Sequence, residues 1–189
     1  AQYLRRIGAA GARAFTLPED GEVDRAIYAL SEVKELASAT AEQVSHAEQA
    51  LVTARGRVAR TSEAARLSRL YWWTAEYGLV GTPSEYKLYG AGLLSSLWES
   101  FACHDPKVKK PWLTAAAAEV DYDVTRPQPQ LFVAPTFEAL HDVLDAVVKE
   151  LPSVRGGEPA LAEAHAAQEL ATITLQGDVS IGGVLARRV

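Results

Sequence analysis

The chain has 189 residues, of which 48% are hydrophobic and 23% charged, so it is long enough to bury a core and too apolar to stay disordered. Its 19 Lys and Arg against 24 Asp and Glu leave a net charge of −5, which provides no electrostatic footprint for nucleic acid. No apolar run of about 18 residues is present to span a membrane. Cys103 is the sole cysteine, which excludes an internal disulfide or a cysteine-rich zinc site and makes a reducing compartment, the cytoplasm, the expectation. There is no methionine, and the chain opens at Ala1 without a signal-peptide pattern, so a piece of a longer protein is expected.

Helical periodicity dominates. Residues 2–15 place Tyr3, Leu4, Ile7 and Ala14 near one stripe, weakened by Gly8 and Gly11. Residues 17–21 read as a turn. A helix over 22–36 carries Val23, Ile27, Leu30, Val33 and Leu36 at spacings of three and four. Another starts at Thr40, where Thr40 and Gln43 form a capping box, and runs to about Arg60 with Val44, Ala47, Leu51 and Val58 on one face. The short join between them predicts an antiparallel helical hairpin. A helix over 62–77 follows, bulky nearly all round in its second half and stopped by Gly78. Residues 78–96 form a glycine-rich loop. Alternation predicts a short strand over 119–124 and another over 130–133. Thr136 caps an amphipathic helix with Phe137, Leu140, Leu144, Val147, Val148 and Leu151 on one side. Residues 152–158 read as a linker, 159–170 as an Ala-rich helix, and Ile173 and Leu175 face Val179 and Ile181 in a hairpin turning at Gln176-Gly177-Asp178. The fold class is mainly α with a few short β-strands.

Glu76 is the most informative position. It lies in the last turn of a predicted helix, where the macrodipole disfavours an anion, and Tyr71, Trp72, Trp73 and Tyr77 flank it, so a desolvated setting is expected. Such a carboxylate requires a partner: either Arg69, the commoner outcome, or a bound cation. The aromatic run reads first as a core helix and second as the wall of a pocket for a flat ligand. The string from Gly90 to Ser96 indicates close backbone approach, with neither dinucleotide nor Walker spacing, and Ser95 and Ser96 lack a nucleophile elbow. His46, His104, His141 and His165 form no H-E-x-x-H pair.

The string Tyr71-Trp72-Trp73-Thr74-Ala75-Glu76-Tyr77-Gly78-Leu79, followed by Tyr89-Gly90-Ala91-Gly92-Leu93-Leu94-Ser95-Ser96 and Glu99, closely resembles the tetrahydropterin-dependent aromatic amino acid hydroxylases, nearest to their phenylalanine hydroxylase type. Weaker similarity runs over 124–133, and residues 1–8 resemble the segment just after the family's metal-binding histidines. The resemblance implies that residues 1–151 are the later part of the helical catalytic domain. It implies an inserted hairpin at about 19–60, of the kind seen in larger bacterial members, and that 159–189 begin a C-terminal appendage. It also implies Fe(II), tetrahydropterin and O2 as cofactors and co-substrate, and an aromatic amino acid as substrate. By resemblance Glu76 matches the carboxylate iron ligand, Trp72, Tyr77, Gly92 and Ser95 match positions lining the substrate pocket, and Tyr71 an aromatic on the pterin side. Ser95 would also support an iron-bound histidine. The family's His-Glu-x-x-Gly-His pattern does not occur here. The chain is therefore expected to need the upstream part of the same protein and to be incompetent alone. The alternative is a non-catalytic helical scaffold derived from the family.

Overall fold

A computed structural model describes residues 1–124, 126–175, 177 and 179–186. Thr125, within the weaker stretch of resemblance, and Gln176 and Asp178, the expected hairpin turn, lie outside the described residues. The chain divides into two compact units, one of Ala1–Ala14 and Glu63–Arg155, the other of Phe15–Ser62 and Gly156–Val189. No described helix is long and apolar enough to cross a membrane.

The first unit is built on helices α1 (Gln2–Gly11), α4 (Glu63–Tyr71) and α7 (Phe137–Glu150). Their apolar stripes meet: Tyr3 and Ile7, Leu67 and Leu70, and Leu140, Leu144 and Val147 share one buried cluster. Thr136 caps α7 as expected, its Oγ1 accepting the Ala139 N–H at 3.3 Å. Phe137, expected on the buried side, is instead exposed, because the first turn of α7 projects past the core. Residues 78–96, expected as loop, form strands β1 (Leu79–Gly81) and β2 (Tyr86–Leu88) and helix α5 (Ala91–Ser95), followed by α6 (Leu97–Ala102). β1 is central in a three-stranded sheet, antiparallel to β2 with Leu79 opposite Leu88, and parallel to β3 (Val133–Ala134) with Leu79 opposite Val133. Leu79 and Val133 are fully buried, so this small sheet anchors the segment that follows α4.

The strand expected over 119–124 does not form. A 3₁₀ turn occupies Ala115–Glu119, and the following residues are held by side chains instead of a ladder: the Trp73 indole N–H donates to the Val120 carbonyl at 2.8 Å. Residues 152–158 form helix α8 (Pro152–Arg155) and the start of α9 (Gly157–Ala167). The buried Glu63 carboxylate accepts the Ser153 N–H at 2.7 Å, at the first turn of α8.

In the second unit, α2 (Pro18–Glu35) begins four residues earlier than its apolar pattern, with Pro18 in its first turn and the Leu17 N–H donating to Asp20 Oδ2 at 2.8 Å. The expected turn at 17–21 is thus a helix start. The capping box of α3 (Ala41–Arg57) is present, with Thr40 N–H to Gln43 Oε1 at 2.8 Å and Gln43 N–H to Thr40 Oγ1 at 3.2 Å. Ion pairs Arg57–Glu22 and Lys34–Glu48, both 3.1 Å, show α2 and α3 antiparallel, around buried Leu30, Ala47 and Leu51. Strands β4 (Leu170–Thr174) and β5 (Ser180–Val184) pair antiparallel with Ile173 opposite Ile181.

Candidate active-site wall

The helix expected over 62–77 changes character at its end. After Tyr71 the chain widens into a π-helical turn, Trp72–Glu76, closed by the Tyr77 N–H donating to the Trp72 carbonyl at 2.9 Å. The Thr74 hydroxyl, fully buried, donates back to the Leu70 carbonyl at 2.6 Å and shares a hydrogen bond with the Tyr3 hydroxyl at 2.9 Å. The wide turn re-aims the side chains of 72–77 relative to a continuous α-helix. Trp73 points inward and is 1% exposed, edge-on to Phe132 at 5.5 Å, while Trp72 and Glu76 remain half-buried.

Glu76 does not pair with Arg69, which reaches Asp121 at 3.6 Å instead. The hydrogen bond to its carboxylate comes from the Tyr71 hydroxyl, donating to Oε1 at 2.9 Å. That contact pushes the Tyr71 phenol pKa upward, chiefly because a neutral phenol can donate to the carboxylate and a phenolate cannot. The expected desolvated setting is corrected: Glu76 is half-buried and its partner Tyr71 is exposed, because the π turn directs Trp73 and Thr74 into the core instead.

Tyr77 is buried with its hydroxyl donating to Glu99, at 3.0 and 2.9 Å to the two carboxylate oxygens. Burial foremost, then this hydrogen bond, drive its pKa upward. Beyond Tyr77 lies a small open recess lined by Leu93, Trp98, Glu99, Cys103 and Gln128. Trp72 stacks on Tyr77 with ring centroids 4.5 Å apart and on Tyr122 with centroids 4.4 Å apart. Its indole nitrogen is buried without an acceptor among the described residues.

The glycines explain how α5 reaches this wall. A Cβ on Gly90 would lie 2.3 Å from the Glu76 carbonyl oxygen and 2.6 Å from the Gly78 nitrogen. One on Gly92 would lie 2.9 Å from Tyr77 Cε2. The close backbone approach read from the sequence is therefore present. Ser95 ends α5 exposed, its hydroxyl donating to the Gly92 carbonyl at 3.0 Å.

The structure thus gathers Tyr71 and Trp72 from the start of the π turn, Glu76 and Tyr77 from its close, and Gly92 packed against Tyr77, with Ser95 one helical turn beyond Gly92. Sequence reasoning missed Tyr122, because its alternation with Val120 and Val124 read as a strand. Among the described residues no group of three His, Cys, Asp or Glu side chains is placed to hold a metal ion.

The family model for biopterin-dependent aromatic amino acid hydroxylases matches residues 30–154. Phenylalanine-4-hydroxylase of Chromobacterium violaceum is 38% identical over 80 residues, 42% of this chain and 24% of that protein. The Caulobacter vibrioides phenylalanine-4-hydroxylase is 36% identical over 84 residues, 44% of this chain and 26% of that protein. Human tyrosine 3-monooxygenase is 40% identical over 88 residues, 46% of this chain and 16% of that protein. The crystal structure of the C. violaceum phenylalanine hydroxylase with bound iron(III) and 7,8-dihydrobiopterin is 28% identical, with a TM-score of 0.42, over 73% of this chain and 48% of that one. The matched stretches span about a quarter of the two bacterial relatives. The family match takes in α4, the π turn and α5, the elements that carry the wall, and this chain belongs to the biopterin-dependent aromatic amino acid hydroxylases.

Proposed function

We propose that the chain is the later part of the catalytic domain of a cytoplasmic monooxygenase that hydroxylates phenylalanine with non-haem Fe(II), tetrahydropterin and O2. The observation that carries this reading is the state of Glu76. One carboxylate oxygen accepts the Tyr71 hydroxyl, and the group makes no ion pair with any described residue. A partly accessible carboxylate at a helix C-terminus, opposed by the macrodipole and lacking a cationic side chain, suits a metal ligand. Phenylalanine as substrate is supported by the names of the two bacterial relatives.

When bound, the iron and pterin supply the activation of dioxygen. In this reading Glu76 would hold the metal through its carboxylate, and Tyr71, whose hydroxyl donates to Oε1, would fix its orientation. Trp72 and Tyr77 form an apolar wall against which an aromatic ring is oriented and water excluded. Gly92 leaves the space in which Tyr77 sits, and Ser95, one helical turn beyond it, would support a metal-bound histidine through its hydroxyl. Two histidines from the upstream part of the same protein complete the ligand set. The chain alone supplies one carboxylate, too few donors to hold Fe(II) tightly.

The test uses the full-length gene product. It should hydroxylate phenylalanine with tetrahydropterin consumption, and Glu76→Ala should lose its iron. Normal iron content in Glu76→Ala overturns the assignment. Tight stoichiometric Fe(II) binding by the 189-residue chain alone would contradict the incomplete ligand set.

A further inference from the structure

The segment after the 3₁₀ turn carries no strand pairing, yet it is held firmly against α4 and the π turn. The Glu119 carboxylate pairs with Arg66 at 2.6 Å, Asp121 with Arg69 at 3.6 Å, and the Val120 carbonyl accepts the Trp73 indole N–H at 2.8 Å. The Tyr122 hydroxyl shares a hydrogen bond with Ser68 Oγ at 3.0 Å. These four contacts deliver the Tyr122 ring onto Trp72, with centroids 4.4 Å apart and planes within 9°.

Tyr77 covers Trp72 as well, at 4.5 Å and 27°. Two rings stacked this closely on one face would also touch each other, and among the described residues no ring contact joins Tyr77 to Tyr122, so they lie on opposite faces of the indole. Trp72 is the middle ring of a three-ring stack and has no free face. What it offers a ligand is its rim, and an indole rim carries partial positive charge that matches the π face of an aromatic ring in edge-to-face contact.

We propose that Tyr122 is a positioning residue for the aromatic substrate: it clamps Trp72 against Tyr77, so that the indole presents its rim to the substrate ring. The proposal rests on the hydroxylase reading above. Without the Tyr122 ring, the exposed indole face admits a second orientation of Trp72 and weakens substrate binding more than turnover.

The experiment uses the full-length gene product with Tyr122→Leu, which keeps apolar bulk and removes the stack, and Tyr122→Phe, which keeps the ring. Trp72 emission is read as the difference between each protein and its Trp72→Phe counterpart. Tyr122→Leu should shift Trp72 emission and raise the KM for phenylalanine about tenfold, with a smaller change in kcat. Tyr122→Phe should bring KM back to within about threefold of the parent, since the face-to-face contact survives. A folded Tyr122→Leu with unchanged Trp72 emission and unchanged KM overturns the proposal. Should Tyr122→Leu fail to fold, Ser68→Ala on the exposed face of α4 replaces it. That variant should move Trp72 emission in the tyrosine-dependent direction and raise KM about threefold, as expected from loss of one anchoring hydrogen bond, and no change in either overturns the proposal. The emission readout needs no iron, pterin or turnover. An inactive full-length protein would therefore sink the hydroxylase reading while Trp72 emission still decides the role of Tyr122.

Discussion

The Tyr71 hydroxyl and the Glu76 carboxylate meet at 2.9 Å across five residues, the spacing of one π turn. On a regular α-helix, side chains five apart point well away from each other, so this contact exists because the turn is widened. Tyr71→Phe deletes the donor and leaves the fold intact. In the full-length protein, Fe(II) affinity should fall by about tenfold or more, the usual cost of losing a group that orients a ligand. The melting temperature should hardly move, since Tyr71 is exposed. An unchanged metal affinity would show that the hydrogen bond is incidental.

Gly90 and Gly92 should respond differently to alanine. At Gly90 the new methyl meets backbone on both sides, 2.3 Å from the Glu76 carbonyl oxygen and 2.6 Å from the Gly78 nitrogen, and neither can give way without moving the end of the π turn. At Gly92 it meets the edge of the Tyr77 ring at 2.9 Å and the Glu76 carbonyl oxygen at 3.1 Å, both looser than the contacts at Gly90. Gly92→Ala should cost about 1–3 kcal/mol and Gly90→Ala more. Urea unfolding of both variants tests the order, and equal or reversed losses would contradict the packing described.

Tyr3 sets an alkaline limit on stability. Burial foremost pushes its phenol pKa up to about 12 from 10.0, against a smaller opposing effect of the Thr74 hydrogen bond. Between those values the unfolded chain releases a proton that the folded chain retains, so stability is complete below pH 10 and falls as pH rises through about 12. The loss is about 2–3 kcal/mol over that window. Tyr3→Phe should flatten the fall by about one proton, measured as the pH dependence of urea unfolding. An identical slope in the variant would place the alkaline transition elsewhere.

Tryptophans 73 and 98 provide a paired control. Trp73 is 1% exposed and donates to the Val120 carbonyl, whereas Trp98 is 61% exposed on α6. Trp73→Ala should cost about 3–5 kcal/mol. Trp98→Ala should stay within about 0.5 kcal/mol. Comparable losses would mean that the aromatic run is not the core helix described.

Much of the fold was legible in local chemistry. The Thr40–Gln43 capping box and the Thr136 cap are present, because capping depends on residues three apart and little else. Pairing across β4 and β5 followed from alternation on either side of a short turn. Errors arose where a remote contact outweighed the local pattern. The alternation of Val120, Tyr122 and Val124 matched a strand, but these residues pair with no strand among the described residues, and Trp73, Arg66 and Arg69 captured the segment instead. Proline at position 18 read as a turn until Asp20 supplied the acceptor that makes it a helix start.

By itself the sequence determined the helical caps and the close backbone approach at Gly90 and Gly92, because capping and glycine spacing are local chemistry. The residues read as the wall were singled out by resemblance to the hydroxylase family, while local patterning alone favoured a core helix with Glu76 paired to Arg69. The tertiary structure alone decided how those residues face one another. The widened turn, the Tyr71 contact to Glu76 and the Tyr122 ring on Trp72 depend on hydrogen bonds and stacking between positions 5 to 54 residues apart, which no local periodicity encodes.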